Sequence, residues 1–327
     1  MRAWVVKQFG QPAEALALED LPTREPGPAE VVLDIAAASL GFADLLLCAG
    51  KYQIQPEPPF TPGFECAGTV AAVGTEVTHV QPGQRVIALP TLGDGVLREQ
   101  SIAPAAQVHP IPDSLGFEAA AALFVSYQTA MLSLHRRGHL QAGETVLVHG
   151  ATGGVGSACI EVARAAGARV IAAARGGERA QLCETLGAER GIDVNSEDFV
   201  AVVKELTGGR GADVIVDPVG GATFEQSVKC IAPEGRLLVI GFASGKPGEL
   251  KLNHLLVKNF SAVGVFFGPS PLAAQLNREY HAQLMAMQTA DQIHPLIEHV
   301  LDLDDAPAGL ERLAAGGVDG KIVVRVR

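Results

Sequence analysis

The chain has no excess of basic charge, no long uncharged apolar run and no paired cysteines, and each absence excludes something. Its 327 residues carry a formal net charge of -11. That balance argues against a protein built to lie on phosphate backbones, which needs clustered Lys and Arg. Anionic lipid surfaces are disfavoured for the same reason, although a local basic groove could still take a phosphorylated cofactor. No uncharged apolar stretch reaches the ~18 residues of a membrane span. The nearest, Val31 to Gly50, is interrupted by Asp34 and Asp44. The opening segment MRAWVVKQFG lacks an apolar core and a small-residue cleavage site, so no secretory signal is expected. The five cysteines (Cys48, Cys66, Cys159, Cys183 and Cys230) are scattered, odd in number and never in a CxxC pair. They read as reduced thiols of a soluble cytoplasmic protein.

What is present is the composition of a globular chain, close to half apolar and a fifth charged, long enough for one large domain or two ordinary ones. The first third reads as short strands: Ala3 to Lys7, Glu30 to Ala38, Gly68 to Val73, Gln84 to Leu89 and Arg98 to Ile102. Pro-Gly and Gly-containing breaks separate them, and one short helix, Asp44 to Ala49, interrupts them. An Ala-rich helix is expected over Glu118 to Arg137. From Thr145 the texture alternates: VLVHG, a helix at Val155–Ala166, RVIAAA, a helix at Glu178–Leu186, Arg190–Asp193, and a helix near Phe199–Leu206. DVIVD, a helix at Phe224–Ile231, RLLVIGF and a last strand at Ser261–Phe266 complete the series. Strands that are apolar throughout and separated by helices predict a parallel sheet covered on both faces. A Pro-rich turn at Gly268–Pro271, a helix at Ala273–Thr289 and a closing strand at Ile322–Val326 follow.

The strand at Thr145–Gly150 runs straight into Ala151-Thr152-Gly153-Gly154-Val155-Gly156 at a helix start. In a dinucleotide fold the first small residue permits a tight turn and the second lets backbone approach the pyrophosphate. The third lets the helix pack on the strand, and the pyrophosphate rests on free N–H groups at the positive end of the helix. The match is AxGxxG and weak alone, but the surrounding β/α alternation favours dinucleotide binding over a bare structural turn. An NAD-specific site carries an acidic residue at the end of the second strand. Arg175 stands there, with Arg179 one helical turn on. Two guanidiniums suit a 2′-phosphate, so NADPH is expected over NADH; the bland alternative is two solvated loop arginines.

Ser39-Leu40-Gly41-Phe42-Ala43-Asp44, Gly50-Lys51-Tyr52 and Pro62-Gly63-Phe64-Glu65-Cys66-Ala67-Gly68 come in that order. They are followed by Pro82-Gly83-Gln84-Arg85-Val86, the AxGxxG turn, Asp217-Pro218-Val219-Gly220-Gly221 and Gly320-Lys321. Over essentially its full length the chain resembles the medium-chain dehydrogenase/reductase superfamily, in particular its NADPH:quinone oxidoreductase (zeta-crystallin-like) branch. The resemblance implies an α/β protein: a GroES-like β-rich catalytic domain (residues 1–124 and 267–327) plus a Rossmann doubly wound parallel sheet (residues 125–266). It also implies a homodimer through the edge strand of that sheet. The zinc members carry a Cys within the segment matching Ser39–Asp44, a GHE triplet matching Gly63-Phe64-Glu65, and a four-cysteine lobe. Here Phe64 replaces the His, and Leu89 to Gln100 has no Cys or His. Cys48, Cys66 and His79 do not fall on the matching positions and read as buried thiols and a surface histidine. A zinc-free enzyme is expected, acting by cofactor alignment on acceptors that need little Lewis-acid activation: quinones, or C=C bonds conjugated to a carbonyl.

By the same resemblance, cofactor contacts are expected at Phe42, Tyr127, Thr129, Ala151, Thr152, Gly153, Gly154, Val155, Gly156, Arg175 and Arg179. Further contacts are expected at Gly241, Phe242, Ala243, Phe266, Phe267, Gly268 and Lys321. Phe42 could equally be a plain core residue. Relatives often have Asn where Gly41 stands, so a polar contact near the nicotinamide is lost here; Val194 departs from relatives that place a Tyr there for the 2′-phosphate or adenosine. His149, one residue before the glycine turn, reads as structural. Tyr52 is the candidate catalytic residue. Its phenol could give a proton to a developing enolate or quinol oxygen, or only pack against a flat substrate. Three functions stay open: an NADPH-dependent quinone reductase, an NADPH-dependent enone or enoyl-thioester reductase, and an NADPH-binding structural or regulatory protein with little turnover. Nothing in this acidic sequence supports the RNA-binding side activity known in the family.

Overall fold

The computed structural model describes residues 1–268 and 271–326; residues 269 and 270, within the Pro-rich turn expected at Gly268–Pro271, lie outside the described residues. The chain divides into two units. One comprises Met1–Val125, Pro269–Ala286 and His294–Arg327, the other Ser126–Gly268 and Met287–Ile293.

The first unit begins with β1 (Arg2–Val6), α1 (Pro12–Ala15), β2 (Leu16–Asp20), β3 (Glu30–Leu40), α2 (Phe42–Cys48) and β4 (Glu65–Val73). β5 (Arg85–Ala88), β6 (Gln100–Pro104), β7 (Val108–Pro110) and α3 (Phe117–Met131) follow. The expected short helix therefore starts two residues early, at Phe42. There the Asp44 carboxylate accepts from Gly41 N at 2.7 Å and closes the first turn. α3 ends at Met131 rather than running to Arg137. A π turn over Leu132–Arg137 takes over, with Gly138 N bonded to Ser133 O.

The second unit is a regular alternation: β8 (Thr145–His149), α4 (Gly154–Ala165), β9 (Arg169–Ala174), α5 (Gly177–Thr185), β10 (Arg190–Asp193) and α6 (Phe199–Leu206). β11 (Ala212–Asp217), α7 (Gly221–Cys230), β12 (Ile231–Val239), α8 (Leu252–Lys258) and β13 (Ser261–Gly264) complete it. Its strands form a parallel sheet in the order β10-β9-β8-β11-β12-β13. β8 and β11 are completely buried along their lengths, which is why their sequences read as apolar runs rather than alternations. β12 starts at Ile231, well before the expected RLLVIGF, and β13 stops two residues short of Phe266.

The chain then continues through α9 (Pro271–Thr289), β14 (Ile297–Asp302), α10 (Ala306–Ala315) and β15 (Lys321–Arg325). Among the described residues of the first unit, β14, β15, β3, β4, β5 and β7 lie side by side in that order, and β6 also pairs with β3. In β3, Val31, Leu33 and Ile35 are buried to within 1 % and point into the unit's core beside Val70, Val86 and Val324. Together these alternating faces bury the apolar area that stabilises the unit.

Candidate active site

In the second unit, order reverses at β8, since its neighbours are β9 on one side and β11 on the other. Ligands of open α/β sheets bind at the carboxyl ends of the strands beside such a reversal. Ala151 N donates to Ala173 O at 3.2 Å, tying the turn after β8 to β9, and Gly153 N closes onto Gly150 O at 3.0 Å. The first bond within α4 is Ser157 N to Gly153 O, 2.8 Å. The N–H groups of Gly154, Val155 and Gly156 therefore lack intrahelical acceptors, and the N-cap Gly153 has no side chain to cover them. A Cβ at Gly156 would sit 2.3 Å from Gly150 O and 2.7 Å from Ala151 Cα, so only glycine lets helix and strand approach this closely. Three donors without intrahelical acceptors at a positive helix end, Gly154 and Val155 half-buried and Gly156 buried, make a cradle that fits a pyrophosphate. Ala151 and Thr152 are buried in its wall.

The other strand ends gather on the same edge. β9 ends at Ala174; Arg175 beyond it is exposed and Arg179, in the first turn of α5, is half-buried. β11 ends in Asp217, whose Oδ1 accepts from Val219 N (2.8 Å) and Gly220 N (2.9 Å). Burial pushes this carboxyl above the ordinary range, and its Oδ2 is buried without a hydrogen-bond partner among the described residues. After β12, Ile240 N bonds Asp217 O and Ala243 N bonds Pro218 O, both at 3.0 Å. This fastens the Gly241–Ala243 segment to the β11 turn. Phe242 is 43 % exposed there and Phe266, beyond β13, 55 %. Phe267 and Gly268 are half-buried. Tyr127 is fully buried and donates to Glu161 Oε2 of α4 at 2.5 Å; Thr129 is buried two residues on. His149 is also interior. Its Nε2–H donates to Ser227 Oγ at 2.8 Å, because the Ser227 hydroxyl proton is committed to Thr223 O.

In the first unit, Glu65 at the start of β4 is the hub of a buried polar cluster. Its Oε1 accepts from Ser39 Oγ (2.6 Å) and pairs with Lys321 Nζ (2.9 Å); its Oε2 accepts from Val125 N (2.6 Å). Asp44 lies alongside, 1 % exposed, with Oδ1 buried and unpaired among the described residues. Burial is the largest cause raising its carboxyl to about 7, partly offset by the Gly41 N–H and by the charge of Lys321. Tyr52 meets Phe64 edge-on at 5.1 Å. Burial, and then the charge of Asp44, push its phenol up from the ordinary tyrosine value. Phe42 is 45 % exposed on α2.

The first unit thus carries Phe42, Tyr52 and Lys321, and the second unit carries the remaining expected residues. Glu65, Asp44, Ser39 and Asp217 are additions to them. The signal for Asp217 was present: an acid closing an apolar strand in a parallel sheet must find donors or be expelled.

Two family descriptions match the chain: "Alcohol dehydrogenase GroES-like domain" over residues 27–113 and "Zinc-binding dehydrogenase" over residues 154–287. Together with the fold they define the class: the chain belongs to the medium-chain dehydrogenase/reductase superfamily of oxidoreductases, in the group of quinone oxidoreductases and their likenesses. The quinone oxidoreductase-like protein 2 homolog of Nematostella vectensis is 38 % identical over 100 % of this chain and 89 % of its own length. The quinone oxidoreductase of Pseudomonas syringae pv. Tomato superimposes with a TM-score of 0.91 at 31 % identity, covering 99 % of both chains. The Escherichia coli quinone oxidoreductase, solved in complex with NADPH, gives 0.92 at 26 % identity over 100 % of both. No helix among the described residues is long and apolar enough to cross a membrane.

Proposed function

We propose that this oxidoreductase passes hydride from NADPH to a quinone without zinc. The observation that carries the reading is the open donor cradle at Gly154–Gly156 with two arginines at the next strand end. When bound, NADPH supplies a hydride from C4 of its reduced nicotinamide. The cradle's N–H groups would hold the pyrophosphate, and Arg175 and Arg179 the 2′-phosphate. The Gly241–Ala243 backbone with Phe266, Phe267 and Gly268 would bracket the nicotinamide. The E. coli relative's complex with NADPH supports the same cofactor.

Donor chemistry supports the zinc-free reading. Phe64 offers an aromatic edge where a metal-binding relative has imidazole, and burial holds the Cys48 thiol up to about 12 and the Cys66 thiol higher still. Such thiols are poor thiolate ligands. A homodimer is part of the proposal. β13 terminates the sheet, Ser261, Ala262 and Gly264 on it are exposed, and Leu252, Leu256 and Val257 of α8 are each 75 % or more exposed. An open edge beside exposed apolar side chains suits pairing with a second copy.

Purified protein screened for NADPH oxidation with quinones, enones and enoyl-CoAs, with zinc measured on the same sample, tests this. Steady turnover with a simple ortho-quinone and no stoichiometric zinc is expected. Stoichiometric zinc, or tight NADPH binding without turnover, would overturn it. A second reading is enone reduction with Tyr52 as proton donor: a phenol carries its proton at neutral pH as any tyrosine does, although burial raises it further and so weakens it as an acid. Tyr52→Phe separates the two: loss of enone reduction with quinone reduction retained supports the second.

A further inference from the structure

β10 and β9 pair in parallel with Asp193 opposite Ala174, and Val194 N donates to Ala174 O at 3.0 Å. This register carries the Asp193 carboxylate to the start of the next turn. Its Oδ1 accepts from Gly176 N at 2.7 Å and from Asn195 N at 2.9 Å; its Oδ2 accepts from Ser196 Oγ at 3.0 Å. Gly176 is the N-cap of α5, held at φ +97° with no side-chain cap of its own. Its N–H belongs to the peptide that joins it to Arg175, so the bond to Asp193 fixes the plane from which the Arg175 side chain departs.

We infer that Asp193 is the positioning residue that sets Arg175 for a 2′-phosphate, and so a determinant of NADPH over NADH preference. The inference rests on the proposed NADPH reading and adds to it the residue on which the arginine's geometry depends. Asp193 is itself an anion one peptide away from Arg175. A bare carboxylate there would repel a 2′-phosphate, but three donors share its charge, and they hold it below the ordinary carboxylate range. The carboxylate therefore acts as an acceptor for the turn. Val194 is 38 % exposed beside it and its side chain offers the phosphate no donor, which leaves Arg175 and Arg179 as the cations of this strand end. An exposed arginine on a free loop would spend ordering entropy on binding; a fixed peptide plane reduces it.

The test is steady-state kinetics of Asp193→Ala and Asp193→Asn with NADPH and with NADH, next to fluorescence titration of both cofactors and a thermal melt. Asp193→Ala is expected to raise KM for NADPH by ~10-fold, the effect of about one lost charge-assisted bond, with kcat and the NADH KM within about twofold. Asp193→Asn keeps an oxygen for Gly176 N and should recover most of the loss, which a general folding defect would not. If wild-type protein prefers NADPH and Asp193→Ala leaves the NADPH/NADH ratio unchanged, the positioning role is wrong. If either variant tightens NADPH, Asp193 is a repelling charge and the inference is reversed. If wild-type protein shows no NADPH preference, the underlying reading fails and this inference with it.

Discussion

Lys321 and Glu65 form an ion pair whose side chains are 10 % and 2 % exposed, deep enough that solvent cannot replace a missing partner. Glu65 keeps two other donors, Ser39 Oγ and Val125 N, but without the ammonium it is a buried net charge. Removing one member of such a pair typically costs roughly 3–5 kcal/mol. Lys321→Met is therefore expected to lower stability by roughly that amount in urea unfolding, and Glu65→Gln added to it should recover part of the loss. Additive losses in the double variant would show that the two groups do not interact. Neither contact could be read from the residues in advance. Ser39, Glu65 and Lys321 were visible as parts of separate motifs, but their meeting depends on β3 pairing with both β4 and β15. Asp193 was equally opaque, since its role follows from the register of β10 on β9.

At the scale of elements, α2 owes its start to Asp44, and the same residue makes the helix pH-sensitive. In the folded chain its carboxyl keeps a proton up to about 7, while the unfolded chain releases it near 4. Between those values the folded state binds more protons, so this contribution to stability is complete below pH ~4 and fades as pH rises through about 7. Urea midpoints across this range should show wild type losing stability relative to Asp44→Asn as pH rises, at up to ~1.4 kcal/mol per pH unit. A constant difference between the two proteins would place the carboxyl in an ordinary environment. Elements of the parallel sheet were the most legible, because strands buried on both faces must be apolar throughout. β14 and α8 were the least. Among the described residues β14 (IEHVLD) pairs only with β15 and has no buried position, and α8 (LNHLLVK) has none either, so neither writes a burial pattern into its sequence.

Across the molecule, three imidazoles among the described residues are buried in neutral form: His109, His149 and His281. Burial pushes His109 and His149 down to about 3 and lowers His281 as well. His109 stacks on His281 at 4.9 Å and on Phe124 at 5.4 Å, and His281 donates Nε2–H to Pro110 O at 2.8 Å. Their folded values lie below the unfolded value of about 6.5. Below that pH the unfolded chain binds more protons, so the stability they confer is full above ~6.5 and drains away as pH falls toward 3. Unfolding midpoints should drop steeply from pH 6 to pH 4 in wild type and less steeply in His149→Gln. Identical slopes would mean that His149 is not buried as a neutral ring. In the proposed function, Arg175 at the end of the second strand of this parallel sheet reads the 2′-phosphate and so makes the enzyme NADPH-dependent. Its most direct test is kcat/KM for NADPH and NADH in wild type and Arg175→Ala. A clear NADPH preference that collapses by ~10-fold or more in the variant is expected; an unchanged preference would show that Arg175 does not read the phosphate.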